Sequence, residues 1–337
     1  MLSNYPGKII TFLIFTFFSL TSWGNCVEGN CVDGIGTYIN ENNEKYVGEW
    51  VNGSPNGTGV YTNNKGDVYR GAFKEGQLEG QGTYTYSNGD QYTGEFKHFS
   101  KNGKGKYLYA NGNIYNGHFI NGEKEGWGEF LFKNGAKCSG NWENGKMNGK
   151  GVFIYSNNDR YEGDFVDGKR EGKGKFLYHS DGSYKGFFKN DLFDGQATRI
   201  YANGNKYIGE YKKGLKEGKG NFYYANGNHY KGNFKNNMRN GLGFYTWADG
   251  GTYAGSFLNN KFDGFATRTY PNGDVFKGEF KNNKKNGHGT YKMLDGSSYT
   301  GEWKNNQKDG AGVCTLKNSR KVKCLWKEDV LIEHERL

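Results

Sequence analysis

Five cysteines, six histidines, a set of Gly-x-Gly pairs and two rows of charge are the features of this 337-residue chain that could do chemistry. The histidines, His98, His118, His179, His229, His288 and His334, fall at unrelated intervals, so they cannot build a metal site by stacking in register. Pairs such as Gly172 and Gly174 share their letters with a phosphate loop, yet none leads into a helix pattern. No catalytic constellation is readable, and the expectation is a protein that is not an enzyme and uses no cofactor or metal. What remains is binding chemistry. One row of lysines, Lys74, Lys97, Lys189, Lys212, Lys235, Lys281 and Lys304, recurs at one register, beside a row of acids that includes Glu49, Glu95, Asp164, Glu210, Glu279 and Glu302. Exposed pairs of opposite sign are worth little each, so these rows read first as a solvated face. The balance of 45 basic to 35 acidic residues leaves anionic lipid head groups as the alternative target. Nucleic acid is not expected, because the chain opens with a leader that takes it elsewhere.

The register that aligns these rows is a period of 23 residues. Its first position is Tyr at 46, 69, 92, 115, 161, 184, 207, 230, 253 and 299, with Cys138, Phe276 and Val322 in the same phase. A fixed period means an array of one supersecondary unit. Each unit holds two alternating runs. Tyr-x-Gly-x-aromatic, as in Tyr161, Gly163 and Phe165, puts Tyr, Gly and ring on one face of a strand. Gly-x-Gly-x-aromatic-x-aromatic, as in Gly172, Gly174, Phe176 and Tyr178, repeats the period of two. Asn-Gly pairs punctuate both ends, at Asn121-Gly122 and Asn144-Gly145 after the first strand and at Asn88-Gly89, Asn111-Gly112 and Asn226-Gly227 after the second, and read as type I′ turns. The fold expected is all-β: a single-layer, elongated antiparallel sheet, a meander of repeat hairpins. The glycines at positions three, twelve and fourteen are expected to leave hollows for rings of neighbouring strands.

The pattern Tyr-x-Gly-x-aromatic-x-x-Gly-x-x-x-Gly-x-Gly resembles the MORN (membrane occupation and recognition nexus) repeat, with twelve consecutive copies over residues 46–321. Gly34-Ile35-Gly36-Thr37-Tyr38 reads as a preceding half-repeat within an N-terminal cap, residues 25–45, and Val322, Cys324 and Trp326 mimic a final degenerate strand in residues 322–337. The resemblance implies scaffolding and membrane association. Arrays of this family also occur attached to lysine methyltransferases and phosphatidylinositol phosphate kinases, but no remaining segment is long enough for such a domain.

Residues 1–24 differ from the array. Lys8 precedes an apolar run from Ile9 to Leu20, then Ser22-Trp23-Gly24, which reads as a secretory signal cleaved after Gly24. An uncleaved anchor is the competing reading, though the run is shorter than the roughly 20 residues that span a bilayer. Export makes disulfides available, pairing Cys26 with Cys31 and Cys314 with Cys324 at the two ends, while Cys138 is expected to be a buried free thiol.

Two repeats depart from the pattern together. In Asp194-Gly195-Gln196-Ala197-Thr198-Arg199 and Asp263-Gly264-Phe265-Ala266-Thr267-Arg268, the second glycine is Ala and the core aromatic is Arg, with Phe193 and Phe262 just upstream. Either the arginines lie over neighbouring rings and the extra Phe fills the gap, or they form two basic-aromatic contact sites. The function expected is an exported, non-enzymatic scaffold that presents an aromatic-floored sheet to a protein or an envelope surface. The alternative is a peripheral binder of anionic lipid through the lysine row.

Overall fold

The computed structural model describes residues 24–336, so the proposed leader and its cleavage site lie outside or at the edge of the described residues. The described chain contains 28 strands and no helix. It divides into two compact units, with the boundary in sequence between His179 and Ser180. The first runs in fourteen strands from Asn25–Gly29 to Lys169–Leu177, and the second in fourteen from Ser183–Lys189 to Val330–Arg336. Within each unit every strand pairs antiparallel with the next in sequence, and no second layer of backbone covers the sheet.

The repeat beginning at Tyr207 shows how this sequence makes that layer stable. Tyr207 stands opposite Phe222 and Gly209 opposite Gly220, and a bulge follows between Gly209 and Tyr211. The ring of Tyr207 lies across both glycines: a Cβ placed on either Gly209 or Gly220 would come within 2.5 Å of it. Its hydroxyl donates to the carbonyl of Glu210 at 2.9 Å. Tyr211 and, from the next repeat, Phe234 meet the same ring edge-on at 5.3 and 5.1 Å. The tyrosine is thereby fully buried, as are its equivalents Tyr69, Tyr92, Tyr115, Tyr161, Tyr184, Tyr230 and Tyr253. Side chains laid flat on glycine supply the core that a second sheet would otherwise provide.

Two local expectations need correction. The turn after the first strand is a two-residue type I′ turn, with Asn121 at φ 49° and Gly122 at φ 87°. The turn after the second strand is not. Tyr224 receives the N–H of Gly227 and donates to the carbonyl of Asn228, and within Ala225-Asn226-Gly227 only the glycine has positive φ. This is a three-residue loop, a type I turn closed by a left-handed glycine, and Asn226 keeps an ordinary backbone by accepting the N–H of Asn228 with its side chain. The second correction concerns position twelve. Gly218, at φ 69°, faces the carboxylate of Glu210 and not a ring, because the bulge after Gly209 breaks the strict alternation on which the ring-hollow reading rested.

Candidate functional site: the aromatic face

On the face that carries the buried tyrosines, the sixteenth and eighteenth residues of successive repeats form a continuous file of rings. In the first unit it runs from Tyr84 to Tyr178. Centroid steps are short within a repeat, 4.6 Å for Tyr84–Tyr86 and 4.5 Å for Tyr107–Tyr109, and longer between repeats, 6.0 Å for Tyr86–Tyr107 and 5.6 Å for Tyr109–Phe130. In the second unit Tyr201, Phe222, Tyr224, Tyr245 and Trp247 follow at 6.0, 4.6, 5.9 and 4.8 Å. The eighteenth-position rings, Tyr201, Tyr224, Trp247 and Tyr270 among them, are half-buried and present one side to solvent.

The tenth position supplies a row of cations that reading the sequence missed. Lys101, Lys124, Lys216, Arg239, Lys285 and Lys308 lay their stems over these rings, with Lys285 Nζ 4.0 Å from the Trp303 ring centroid, Lys308 Nζ 3.8 Å from Trp326 and Lys124 Nζ 4.7 Å from Trp142. Burial pulls the ammonium pKa of Lys124 and Lys285 down to about 8, and lowers those of Lys101 and Lys308. Among the described residues none of these six is in an ion pair with a carboxylate. Their remaining bonds go to neutral groups: Lys216 to the Tyr201 hydroxyl at 3.3 Å, Arg239 to the carbonyl of Asn260 at 2.7 Å. A signal for the row existed in the sequence, since position ten holds a long unbranched side chain (Lys101, Lys124, Met147, Arg170, Lys216, Arg239) through most of the array.

The two departing repeats exchange the contents of positions ten and sixteen. Phe262 stacks on Tyr253 at 3.9 Å and Phe193 on Tyr184 at 3.7 Å, where other repeats place a cation. Arg268 takes a ring's place in the file, its guanidinium 4.7 Å from Trp247 and 4.6 Å from Tyr270. Arg199 lies 4.7 Å from Tyr201, is 5% exposed, pairs with the Asp181 carboxylate and donates to the carbonyls of Asp181 and Ile200 at 2.8 and 2.9 Å. Both arginines are thus built into the packing. Arg268 differs in having its buried Nε without a partner.

The lysine row at position six, Lys189, Lys212, Lys235, Lys281 and Lys304, is exposed on the opposite face. The expected neutralisation by the fourth-position acids does not occur: among the described residues none of these lysines forms an ion pair. The acids turn to the bulge. Glu49 accepts the backbone N–H and hydroxyl of Thr58 at 2.8 and 2.6 Å, which hold its carboxyl below the usual range, and Asp164 pairs with Lys150 at 2.5 Å. At the ends, Cys26 is bonded to Cys31 and Cys314 to Cys324. Cys138 is free and buried under the ring file, which raises its thiol pKa to about 12. Among the described residues no cluster of three His, Cys, Asp or Glu is placed to hold a metal ion.

Twelve successive segments from residue 46 to residue 319 match the MORN repeat, one for each period. The chain belongs to the MORN repeat family. No curated protein matches it. Among solved structures, the TCP domain of SAS-4 from Drosophila melanogaster, in complex with a proline-rich motif of Ana2, is similar at 16% identity over 51% of this chain and 82% of that one, with a TM-score of 0.26. The TCP10 domain of Danio rerio CPAP in complex with a STIL peptide gives 12% identity, 76% and 94% coverage and a TM-score of 0.24. Streptogramin B lyase gives 10%, 90%, 87% and 0.14. On its MORN framework this chain carries the tenth-position cations and the two exchanged repeats.

Proposed function

We propose that this MORN array is an exported, non-enzymatic scaffold whose aromatic face binds a macromolecule, a protein or a component of the cell envelope. The observation that carries the reading is the file of half-exposed rings flanked by Lys101, Lys124, Lys216, Arg239, Lys285 and Lys308, none of which forms an ion pair among the described residues. A folded chain gains little by desolvating lysines over rings where Met147 or Leu78 serves equally well, so retained charge at that position favours a role in recognition. Export rests on the leader and fits the two terminal disulfides. Mass spectrometry of the secreted material is expected to find a chain starting at Asn25, and a full-length chain in the membrane fraction overturns cleavage.

The test of the face is co-sedimentation with isolated envelopes. Lys285→Gln/Lys308→Gln on the aromatic face is expected to lose binding, while Lys212→Gln/Lys235→Gln/Lys281→Gln/Lys304→Gln on the outer face keeps it. The reverse result, with binding that collapses as salt is raised, favours the second reading, anionic lipid recognition through the exposed and unpaired sixth-position lysines.

A further inference from the structure

The second unit carries the aromatic face in its most charged form. Its ring file runs from Tyr201 to Trp247, continues through the Arg268 guanidinium to Tyr270, and reaches Tyr291 at a further 5.6 Å. Beside it stand Lys216, Arg239, Lys285 and Lys308, so each repeat from Tyr207 to Tyr299 contributes one cation if Arg268 counts for its own. Two acids stand close by and are hydrogen-bonded, and Asp329 is near enough to favour the charged form of Lys285 and Lys308. Asp274 accepts the Tyr291 hydroxyl at 2.8 Å and the N–H of Leu294 at 2.9 Å, and Asp329 accepts the N–H of Lys308 at 2.8 Å. Between Lys285 and Lys308 the face dips into a concavity of about 220 Å³, lined by Tyr270, Tyr291, Met293, Trp303 and Asp329.

We propose that this face is a binding track for a linear acidic polysaccharide with one carboxylate per disaccharide, its sugars lying along the ring file and its carboxylates on the tenth-position cations. The proposal rests on the aromatic face being a binding surface at all. It is carried by periodicity. One repeat advances by two strands, about 9.6 Å at a strand spacing of about 4.8 Å, and offers one cation in that distance, with two file rings in the repeats that begin at Tyr207 and Tyr230 and one in those that begin at Tyr253 and Phe276. An extended pyranose chain advances by about one ring step per sugar, each sugar has a C–H face to lay on an aromatic edge or face, and an alternating uronate–hexosamine polymer has one charge every second sugar. The concavity between Lys285 and Lys308 is of a size to seat one such uronate.

Two other partners fit less well. An extended acidic peptide rises about 3.3 Å per residue, so acids matched to the cations would fall every third residue, and with side chains alternating in direction every other acid would point away. A bilayer surface suits charges that project outward, and here the ammonium groups lie on the rings; the lysines that project are those of the opposite face.

The experiment uses the mature chain, residues 25–337, titrated in a calorimeter with size-defined hyaluronan oligosaccharides, an alternating glucuronate and N-acetylglucosamine polymer. Affinity is expected to rise with each added disaccharide until the track is filled. It is also expected to weaken at high salt and above pH 8, where Lys285 loses its proton. Lys285→Gln/Lys308→Gln is expected to weaken binding by at least about tenfold, as for loss of charge-assisted hydrogen bonds, and Lys285→Arg/Lys308→Arg to restore it, which separates recognition from a folding defect. Cello-oligosaccharides, which lack the acid, are expected to bind weakly or not at all. No binding of hyaluronan, or binding that the Gln variant leaves unchanged, overturns the proposal. Equal or tighter binding of poly-glutamate or of phosphatidylglycerol vesicles overturns it in favour of a peptide or a membrane. If the Gln variant still loses envelope co-sedimentation while hyaluronan fails, the scaffold reading stands and only the glycan falls; if both measurements are flat, both fall.

Discussion

The repeat that begins at Tyr207 and the repeat that begins at Tyr253 have the same strands, the same bulge and the same turns, and they pack their first tyrosine in two different ways. In the first, Gly220 leaves room for the ring to lie flat across two glycines, Lys216 covers it at 5.5 Å, and Phe222 continues the ring file. In the second, Ala266 fills that room: the atoms nearest the Cβ position of Gly255 belong to Ala266 and the Phe265 carbonyl, with the tyrosine hydroxyl no longer among them. The Tyr253 ring instead stacks on Phe262. Phe262 has displaced the cation, and the charge reappears as Arg268, planar enough to stand between Trp247 and Tyr270. Three substitutions are one change. What both solutions preserve is an unbroken planar file with one cation in each repeat, and the repeat at Tyr184, with Phe193, Ala197 and Arg199, holds the same solution as the repeat at Tyr253.

The comparison breaks if Ala at position fourteen proves harmless in a regular repeat. Gly220→Val should cost about 1–3 kcal/mol from overpacking against the Tyr207 ring. Because each repeat touches only its neighbours, hydrogen-exchange protection should fall around residues 207–234 and hold at the ends of the array. Loss spread evenly along both units contradicts the local account. Gly220→Ala should cost less than Val, and part of its cost should be recovered by adding Lys216→Phe and Phe222→Arg.

The next effect down is coupling within the exchanged repeat. Phe262→Lys alone removes the stack on Tyr253 and sets a second cation near Arg268. Phe262→Lys/Ala266→Gly/Arg268→Phe recreates the regular repeat and should be close to neutral. The gap between the triple change and the sum of its parts should lie at about 0.5–3 kcal/mol, measured by denaturant unfolding. Additive behaviour means that the three positions do not form one packing solution.

These predictions also mark where the fold was legible and where it was not. The period of 23, the paired strands and the face on which Tyr207 and Tyr211 sit follow from alternation alone, since a strand sends every second side chain to one side. Position twelve was misplaced for a physical reason. The bulge at Glu210 shifts the phase by one residue, and nothing in the letters announces it except the run of glycines that permits it. The tenth-position cations escape a first reading because Lys216 or Lys285 beside a turn reads as solvated, whereas a long stem lets the methylenes lie on rings, and only the recurrence of long unbranched side chains at that position hints at it. For Arg199 and Arg268 the departure was visible and its meaning was not, because it depends on which ring lies on either side of a guanidinium.

A smaller effect separates the charge from the stem at position ten. Burial holds the ammonium pKa of Lys124 and Lys285 near 8, below that of a solvated lysine, so between about pH 8 and 10.5 the unfolded chain carries protons that the native chain lacks. Stability therefore rises through that window, until the tyrosines oppose it: Tyr69, raised to about 12, stays protonated in the native state while the unfolded chain ionises from about pH 10. Lys285→Met keeps the stem, removes the charge and copies what the chain already does at Met147. It should raise the thermal midpoint at pH 7, at about 2–4 °C for each kcal/mol in a unit of this size, and flatten the rise above pH 8. An unchanged pH profile means that Lys285 is solvated and not laid on Trp303.

The last comparison sets the two exchanged repeats against each other. Lys in place of Arg keeps the charge and loses the planar fork, so Arg268→Lys and Arg199→Lys each remove one member of a ring file. At residue 268 little else is lost, because the guanidinium is held by Trp247 and Tyr270 while its buried Nε already lacks a partner; the cost should be about 0.5–1 kcal/mol, that of a cation–π contact. At residue 199 the fork also serves Asp181 through carboxylate and carbonyl, and reaches the carbonyl of Ile200, at a site almost closed to water. Lys cannot serve all three acceptors from that position, and losing a charge-assisted bond there should cost about 1.5–3 kcal/mol. Urea unfolding of the two single variants checks the order. If Arg268→Lys proves the costlier, the guanidinium at 268 has a partner beyond the rings, and the equivalence drawn between the two repeats fails at the charge while holding at the stack.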